Sequence, residues 1–259
     1  MNAQTASPAT LPAVRTITRA DVMYALNAGL ADLAAAPIYS LFFGAVFSVT
    51  GVVIMIMLFV QGSSYWVLPL AAGFPLIGPF AAVGLYEISR RREAGLELSW
   101  PVVLGAVMRE GKTQIPSYAF VVLFVYLIWV YLAHLVFALT FGLKPLTNVM
   151  TSFDLLLSSS GIAMLVAGTL IGGAVSVFLF CISVITVPML MDREIDIVSA
   201  MVTSVRAVIA SPQPMLFWGI LLAVVMAVAM VPLFLGVILA FPVLGHASWH
   251  LYRRVMITD

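Results

Sequence analysis

Tyr118–Phe141 reads YAFVVLFVYLIWVYLAHLVFALTF, and this stretch decides the fold class because it contains no Asp, Glu, Lys or Arg. A helix needs about 20 mostly apolar residues to cross the hydrocarbon core of a bilayer, so the stretch predicts a transmembrane helix. The whole chain has the same character, since 63% of its 259 residues are hydrophobic and 9% are charged. Soluble domains have about 25% charged residues, so lipid must be the solvent for most of this chain.

Further uncharged runs predict more spans, and their bounds are Ile38–Val60, Tyr65–Tyr86 and Gly161–Val187. The last apolar region, Met215–Tyr252, is too long for one ordinary helix and barely long enough for two. We expect two short helices there, in a hairpin with its apex near Val231 and Pro232.

The positive charges favour six spans over five. Cytoplasmic loops carry an excess of Lys and Arg, and six spans place every such residue except Lys144 on one side of the membrane. Five spans would leave Arg253 and Arg254 on the opposite side. We therefore expect both termini in the cytoplasm.

An internal repeat indicates the same organisation. The distance along the chain from Asp21 to Pro37 equals that from Asp196 to Pro212, and apolar residues recur on one helical face in both segments. These faces are Val22, Leu26, Leu30 and Leu33, and then Ile197, Met201, Val205 and Val208. The opposite faces hold Asn27 and Asp32, and then Ser199, Thr203 and Arg206. Such amphipathic helices are expected to lie in the membrane surface.

The repeat predicts three units, each consisting of a surface helix followed by a hairpin. The units cover about residues 19–95, 98–193 and 194–254, and a surface helix from Trp100 to Gln114 belongs to the diverged middle unit. Residues 1–18 are expected to form a disordered tail. The predicted fold is an all-α membrane protein with six transmembrane helices in three hairpins.

The fourth predicted span carries small residues four apart on one face, namely Gly168, Gly172 and Ser176. Small residues at this spacing let two helices approach closely. We expect a helix-packing seam, either within the fold or against a partner.

Nothing in the sequence favours an enzyme. The chain has no His-Glu-x-x-His, Gly-x-Ser-x-Gly or Cys-x-x-Cys sequence and no phosphate-binding glycine loop. We therefore predict no catalytic residues and no cofactor. No basic or acidic block is large enough to indicate a nucleic-acid partner.

His246 and His250 are the candidate metal ligands, because they stand four apart on one helical face. A third ligand would have to come from another part of the chain, such as Asp192 or Glu87. In the alternative that we favour, both imidazoles hydrogen-bond at the membrane interface beside Trp249, in an aromatic belt. We therefore expect no stoichiometric metal or haem.

Two other ionisable side chains are candidates for buried polar or gating roles. His134 lies within the third predicted span, where we expect a buried, hydrogen-bonded side chain near Trp129. Glu87 follows the second span, and two interpretations remain open. It is either a proton or cation gate, or one partner of a local ion pair with Arg90 or Arg91.

The three consecutive arginines Arg90, Arg91 and Arg92 are expected to contact anionic lipid headgroups. Such contacts contribute about 1 kcal/mol per basic residue near the membrane surface. They need no special geometry, so we favour them over a gate.

Three stretches of the chain carry a family resemblance. They are Gly73-Phe-Pro-Leu-Ile-Gly-Pro79 running into Gly84–Arg91, Val187-Pro-Met-Leu-Met-Asp192, and Phe241–Arg253. Together they resemble predicted bacterial integral membrane proteins known as domain of unknown function 2189. The resemblance is most specific in the C-terminal string and is expected to cover nearly the whole chain after the tail. It implies the bacterial inner membrane, and it brings no established activity, substrate or catalytic residue.

Two function classes remain open. Short loops and spans without charged residues favour a non-enzymatic accessory, assembly or scaffold subunit. Because some members of the resembling family carry a cytochrome oxidase label, a respiratory complex is the partner to test first. The repeat and the proline-rich spans favour a small transporter or permeation protein, and a metal- or haem-handling protein is a distant third. The expected partners are membrane lipids and another protein or a second copy of the chain.

Overall fold

The computed structural model describes residues 11–60, 81–142 and 157–257. These residues form helices joined by short connections, and they contain no β-strand beyond one isolated bridge. The helices are α1 (Arg19–Ala35), α2 (Pro37–Val60), α3 (residues 81–93), α4 (Trp100–Glu110), α5 (Ile115–Phe141), α6 (Ser159–Ser183), α7 (Thr186–Asp192), α8 (Ile197–Ala210), α9 (Pro212–Met230) and α10 (Val237–Val255). The predicted all-helical fold is confirmed for this part of the chain.

Four stretches of the described residues are helical, long and apolar enough to cross a membrane. They are Pro37–Ile56, Ile115–Phe141, Ser159–Asp192 and Pro212–Met230. They coincide with the first, third, fourth and fifth predicted spans. The second predicted span, Tyr65–Tyr86, lies mostly outside the described residues.

Helix α10 covers the sixth predicted span, and it is not among these four. It carries His246 and His250 and ends with Arg253 and Arg254. Most of its length is buried against α1, α2 and α9. A helix that is covered by other helices is not required to be apolar on every face. Its polar residues therefore do not exclude α10 as a span, and its crossing of the membrane remains a prediction.

The break between α9 and α10 lies at the predicted hairpin apex. Residues 231–236 form a turn, and the expected apex was near Val231 and Pro232. Leu233 and Phe234 have φ angles of 52° and 63°, in the left-handed region that bulky side chains rarely adopt. The turn is therefore a tight and specific reversal.

Helices α1 and α8 start with side-chain caps that involve Asp21 and Asp196, the two aspartates of the predicted repeat. Thr18 and Asp21 form a capping box at the start of α1, in which the Thr18 N–H donates to Asp21 Oδ2 at 2.9 Å. At the start of α8 the Ser199 N–H donates to Asp196 Oδ1, also at 2.9 Å. Asp21 and Asp196 thus both accept a backbone hydrogen bond at the start of a helix, although Asp21 lies within α1 and Asp196 precedes α8.

The buried face of α1 differs from the predicted apolar face. Its buried residues are Val22, Ala25, Gly29 and Asp32. Leu30, on the apolar face that we expected to lie against the membrane, is 51% exposed, whereas Asp32 of the opposite face is buried. The reason is close packing, since a Cβ on Gly29 would lie 2.7 Å from both Val243 O and Ala247 N of α10. The small side chains therefore face the protein, and Leu30 faces outward.

Helix α8 repeats this arrangement. Its buried residues are Ala200, Thr203, Ser204 and Ala207, of which Ala200, Ser204 and Ala207 correspond in the repeat to Ala25, Gly29 and Asp32. Thr203 was placed on the outward polar face, but it is fully buried and its hydroxyl donates to Ser199 O at 2.7 Å. A buried hydroxyl satisfied by its own helix needs no contact with water.

We name α1, α4 and α8 the surface helices. The first, α1, packs against α10, and the third, α8, packs against α6 and α7. Val103 of α4 lies in one core cluster with Leu85 and Ile88 of α3. Each surface helix therefore packs on a helix that belongs to a different predicted unit.

Residues 1–18 were expected to form a disordered tail, and this is wrong for the part that the structure describes. Val14 forms an antiparallel β-bridge with Met256. Ile17 is only 5% exposed, and its N–H donates to Ser211 Oγ at 2.8 Å. The segment is ordered because its backbone groups and its apolar side chain find partners in the core.

Candidate functional site

A group of polar side chains lies where α1, α2, α3 and α10 meet, and we name it the polar cluster. Its members are Asp32, Ser40, Ser89, Arg92, His246 and His250. Three of them, Ser40, Ser89 and His246, are fully buried. Buried polar groups are costly unless they are hydrogen-bonded, so the partners of each one decide what the cluster can do.

His246 is fully buried and joins two helices to α10. Its Nε2 atom lies 2.8 Å from Ser40 Oγ, and its Nδ1 atom lies 2.8 Å from Ser89 Oγ. The Ser40 hydroxyl also donates to Ala36 O at 2.9 Å. Ser89 lies within hydrogen-bond reach of Asp32 as well, and the Leu85 carbonyl is a further partner of the His246 ring. The imidazole is thus held by partners from α2 and α3.

Asp32 connects α1 to α3 and α10. Its Oδ2 atom lies 2.8 Å from His250 Nε2, and its Oδ1 atom lies 2.5 Å from Arg92 Nη1. The same Arg92 group also donates to Ala31 O at 3.1 Å. Burial by itself raises the pKa of Asp32, but the hydrogen bond from His250 is among the effects that outweigh it, and the pKa lies below its ordinary value. The carboxylate is therefore a stable anion within the protein.

The two histidines do not share a partner, although their spacing allows one. His246 contacts two serines, and His250 contacts Asp32. The side chains considered as third ligands are engaged elsewhere, since Asp192 accepts from Tyr252 and Glu87 pairs with Arg90. Within the described ranges, no group of three or more His, Cys, Asp and Glu side chains is arranged to hold a metal ion.

The favoured alternative for these histidines is correct in that both imidazoles are hydrogen-bonded, but the aromatic rings beside them are buried and do not form an exposed belt. Trp249 is 1% exposed, and its Nε1 donates to Glu93 Oε2 at 3.1 Å. Tyr252 is fully buried, and its hydroxyl donates to Asp192 Oδ2 at 2.7 Å. These rings lie in the core because α10 is covered by other helices.

Glu87 and the arginines that follow it are paired within the protein. Glu87 Oε2 lies 2.7 Å from Arg90 Nη2, and Glu87 Oε1 lies 3.8 Å from Arg91 Nη1, which is the ion pair that one interpretation of Glu87 expected. Arg91 also donates to Glu97 O at 2.8 Å, and Arg92 is held by Asp32. All three guanidinium groups thus have acceptors in the protein, and their contact with lipid headgroups remains a prediction.

His134 is exposed rather than buried. Its Nδ1 lies 2.7 Å from Val130 O, one turn back along α5. The imidazole is satisfied by its own helix, so it does not need the neighbouring Trp129 as a partner. A gating role for His134 has no support from these contacts.

The three small residues of α6 have different surroundings. A Cβ on Gly172 would lie 2.8 Å from Trp129 Cη2 of α5, whereas a Cβ on Gly168 would meet nothing within 4 Å. Gly168, Gly172 and Ser176 all line a cavity between α5 and α6. Close approach therefore occurs at Gly172, and Gly168 faces open space.

Sequence reasoning missed three members of the polar cluster, namely Asp32, Ser40 and Ser89. Asp32 corresponds to Ala207 in the predicted repeat. An acid at a position that holds a small apolar residue in the other copy is the sequence signal that could have identified it. Serines in apolar helices give a weak signal, since they can satisfy themselves by bonding to the preceding turn. What the cluster can do chemically is limited, because its acids and bases are paired and buried.

Comparison with known proteins gives one match. The model of the family described as "Predicted integral membrane protein (DUF2189)" matches residues 67–192. The match includes Gly73–Arg91 and Val187–Asp192, and over these residues the resemblance is confirmed. It ends before Phe241–Arg253, the string that was expected to be the most specific part. No curated protein and no solved structure matches the chain.

Proposed function

We propose that this integral membrane protein, which matches a family of unknown function over residues 67–192, acts as a non-enzymatic accessory or scaffold subunit. The observation that carries the proposal is the state of its buried ionisable groups. Among the described residues, Asp32, Glu87, Glu110 and His246 are buried, and each has a partner inside the protein. These contacts give each group a structural role within the fold.

The exposed surface of the candidate spans supports the same proposal. Only 17% of the most apolar window of Ile115–Phe141 is buried within the protein, and the value for Ser159–Asp192 is also 17%, compared with 39% for Pro37–Ile56. Lipid or another protein must cover the rest. A pair of helices with so little cover of its own is suited to binding a partner within the membrane.

The proposal includes the orientation of the chain. We place six spans in the cytoplasmic membrane of a bacterium, with both termini in the cytoplasm. The turn at residues 231–236 supports a return of α10 across the membrane, and Arg253 and Arg254 at its end favour the cytoplasmic side.

The test is purification in a mild detergent at native expression level, followed by mass spectrometry of the proteins that co-purify. We expect a stoichiometric membrane partner, and a respiratory complex is the first candidate. A pure, partner-free chain from the unmodified strain would contradict the accessory role.

A second candidate function is that of a small transporter. It is favoured by the buried positions that α1 and α8 share, because internal duplication is typical of transporter folds. Ion-coupled transport usually needs an acid or base in mid-membrane. The two functions are distinguished by the purified state, since a transporter is expected as an isolated oligomer that moves a solute across proteoliposomes.

A further inference from the structure

Two adjoining cavities form one groove along the α5–α6 pair. The first has a volume of about 680 Å³ and lies between α5 and α6. The second has a volume of about 480 Å³ and lies where these helices meet α3, α9 and α10. Val122, Ser176 and Leu179 line both, so the two spaces share a wall of side chains. Each falls in the range of roughly 300–1,000 Å³ that is typical of small-molecule sites.

The first cavity is suited to an apolar chain. Its lining is aliphatic and aromatic with a few glycines and hydroxyls, and it has no charged residue. A Cβ at Gly168 or Gly173 would meet nothing within 4 Å, so these glycines leave space open along the groove. An acyl or isoprenoid chain would fill it without placing a polar group against apolar walls.

The second cavity has polar groups in its lining. Tyr86, Tyr118, Ser183, Ser248 and Trp218 contribute hydroxyls and an indole N–H. Trp218 is fully buried, and its Nε1 has no hydrogen-bond partner. Ser183 Oγ, beside the hydroxyl of Tyr118, also has no partner with hydrogen-bond geometry.

An unpaired buried donor limits the chemistry of what can bind. Leaving such a group unsatisfied costs about 1–3 kcal/mol, and an indole N–H can only donate. The missing partner must therefore be an acceptor. No charged residue lines this cavity either, so nothing would compensate a phosphate or a carboxylate there.

We infer that the groove binds a single-chain isoprenoid quinone, with its tail between α5 and α6 and one carbonyl oxygen accepting from Trp218 Nε1. A quinone combines an uncharged head that only accepts hydrogen bonds with one long apolar tail. A diacyl phospholipid has a second chain and a charged head, for which the linings offer no counterpart. The inference concerns binding alone and does not depend on the proposed accessory role.

The test measures binding of decylubiquinone to the purified full-length protein by isothermal titration calorimetry in detergent. Trp218→Phe keeps the ring and removes the donor, so we expect it to weaken binding roughly tenfold. Trp100→Phe is the matched control, because Trp100 lies on α4 and packs against Tyr39 and Phe42. We expect it to bind like the unmodified protein.

A second variant tests the tail independently of the head. Gly168→Leu fills the groove at a position with free space, so folding should be preserved while decylubiquinone binding falls. Ubiquinone-0, which lacks the tail, should bind this variant and the unmodified protein equally.

Three results would overturn the inference. One is the absence of decylubiquinone binding by the unmodified protein. Another is equal binding by the unmodified, Trp218→Phe and Gly168→Leu proteins. The third is a tightly held diacyl phospholipid, detected in the organic extract by mass spectrometry, that added decylubiquinone does not displace.

Discussion

His250 Nε2 lies 2.8 Å from Asp32 Oδ2, and this contact ties the first described helix of the chain to the last. Asp32 occupies a helical face that the apolar pattern assigned to the outside. It points inward because Ala25 and Gly29 bring α1 close to α10. The carboxylate then bridges His250 and Arg92 at the point where the two helices are in contact.

Replacing Asp32 by Asn should destabilise the protein by about 2 kcal/mol, because a charge-assisted hydrogen bond is lost and Arg92 keeps its charge without the acid. The measurement is thermal unfolding in detergent. Glu93→Gln is the control, since the pair of Glu93 with Arg253 is more exposed and such pairs contribute about 0–1 kcal/mol. Equal losses in the two variants would contradict the structural role of Asp32.

The same carboxylate predicts a loss of stability in acid. The pKa of Asp32 is lower in the folded protein than the ordinary value of 3.8, so its ionised form stabilises the fold. This contribution is complete above the unfolded pKa and is lost as the pH falls through the lower, folded pKa. Unfolding temperatures measured from pH 7 to pH 3 should fall more steeply below about pH 4 for the unmodified protein than for Asp32→Asn. Parallel curves would show that Asp32 does not contribute.

His246 should tolerate a polar replacement better than an apolar one. In His246→Leu the Ser40 and Ser89 hydroxyls each lose a ring nitrogen as partner, although Ser40 still donates to Ala36 O. We expect a loss of about 1–3 kcal/mol, because two buried hydrogen bonds are removed. His246→Gln should lose less, because an amide both donates and accepts. The control is His134→Leu, at an exposed site, which should unfold at nearly the same temperature as the unmodified protein.

Gly172→Leu should destabilise the α5–α6 pair, since its Cβ alone would come within 2.8 Å of the Trp129 ring. The neighbouring Gly173→Leu is the matched control, because its Cβ would meet nothing within 4 Å. Unfolding temperatures in detergent compare the two. If both variants behave like the unmodified protein, Trp129 moves aside freely and there is no tight seam.

Fusion reporters test the proposed orientation. Reporters at Gly62 and near Asn148 should report the periplasm, and reporters after Ala94, Asp196 and Asp259 should report the cytoplasm. The reporter after Asp259 decides between the models, because α10 is not among the helices recognised as spans by length and composition. A periplasmic signal there would exclude six spans.

Composition and charge were sufficient to predict the helical membrane fold, because an uncharged run of span length has few alternatives in water or in lipid. The break between α9 and α10 was also predictable, since Met215–Tyr252 is too long for one span. The surface helices were placed correctly along the chain, but the burial of Asp32 and Thr203, which lie on the predicted polar faces, was not predicted. Apolar periodicity identifies a stripe, and in a membrane protein that stripe can face lipid as well as protein.

The polar cluster was not predictable, because its members come from four helices and meet only through packing. The spacing of His246 and His250 suggested a shared partner, but a helical turn separates them and different helices supply their contacts. Trp249 illustrates the same limit, since an indole near two arginines resembles an interfacial residue until the helix around it is seen to be enclosed.

The bridge between Val14 and Met256 brings the start of the described chain to its end. Each surface helix packs on a helix of another predicted unit: α1 on α10, α4 against α3, and α8 on α6 and α7. The three predicted units are thus connected in a cycle, and their order along the chain is one of several orders compatible with this packing. A circularly permuted gene that joins the present ends and opens the connection at residues 94–99 would preserve every one of these packing interfaces.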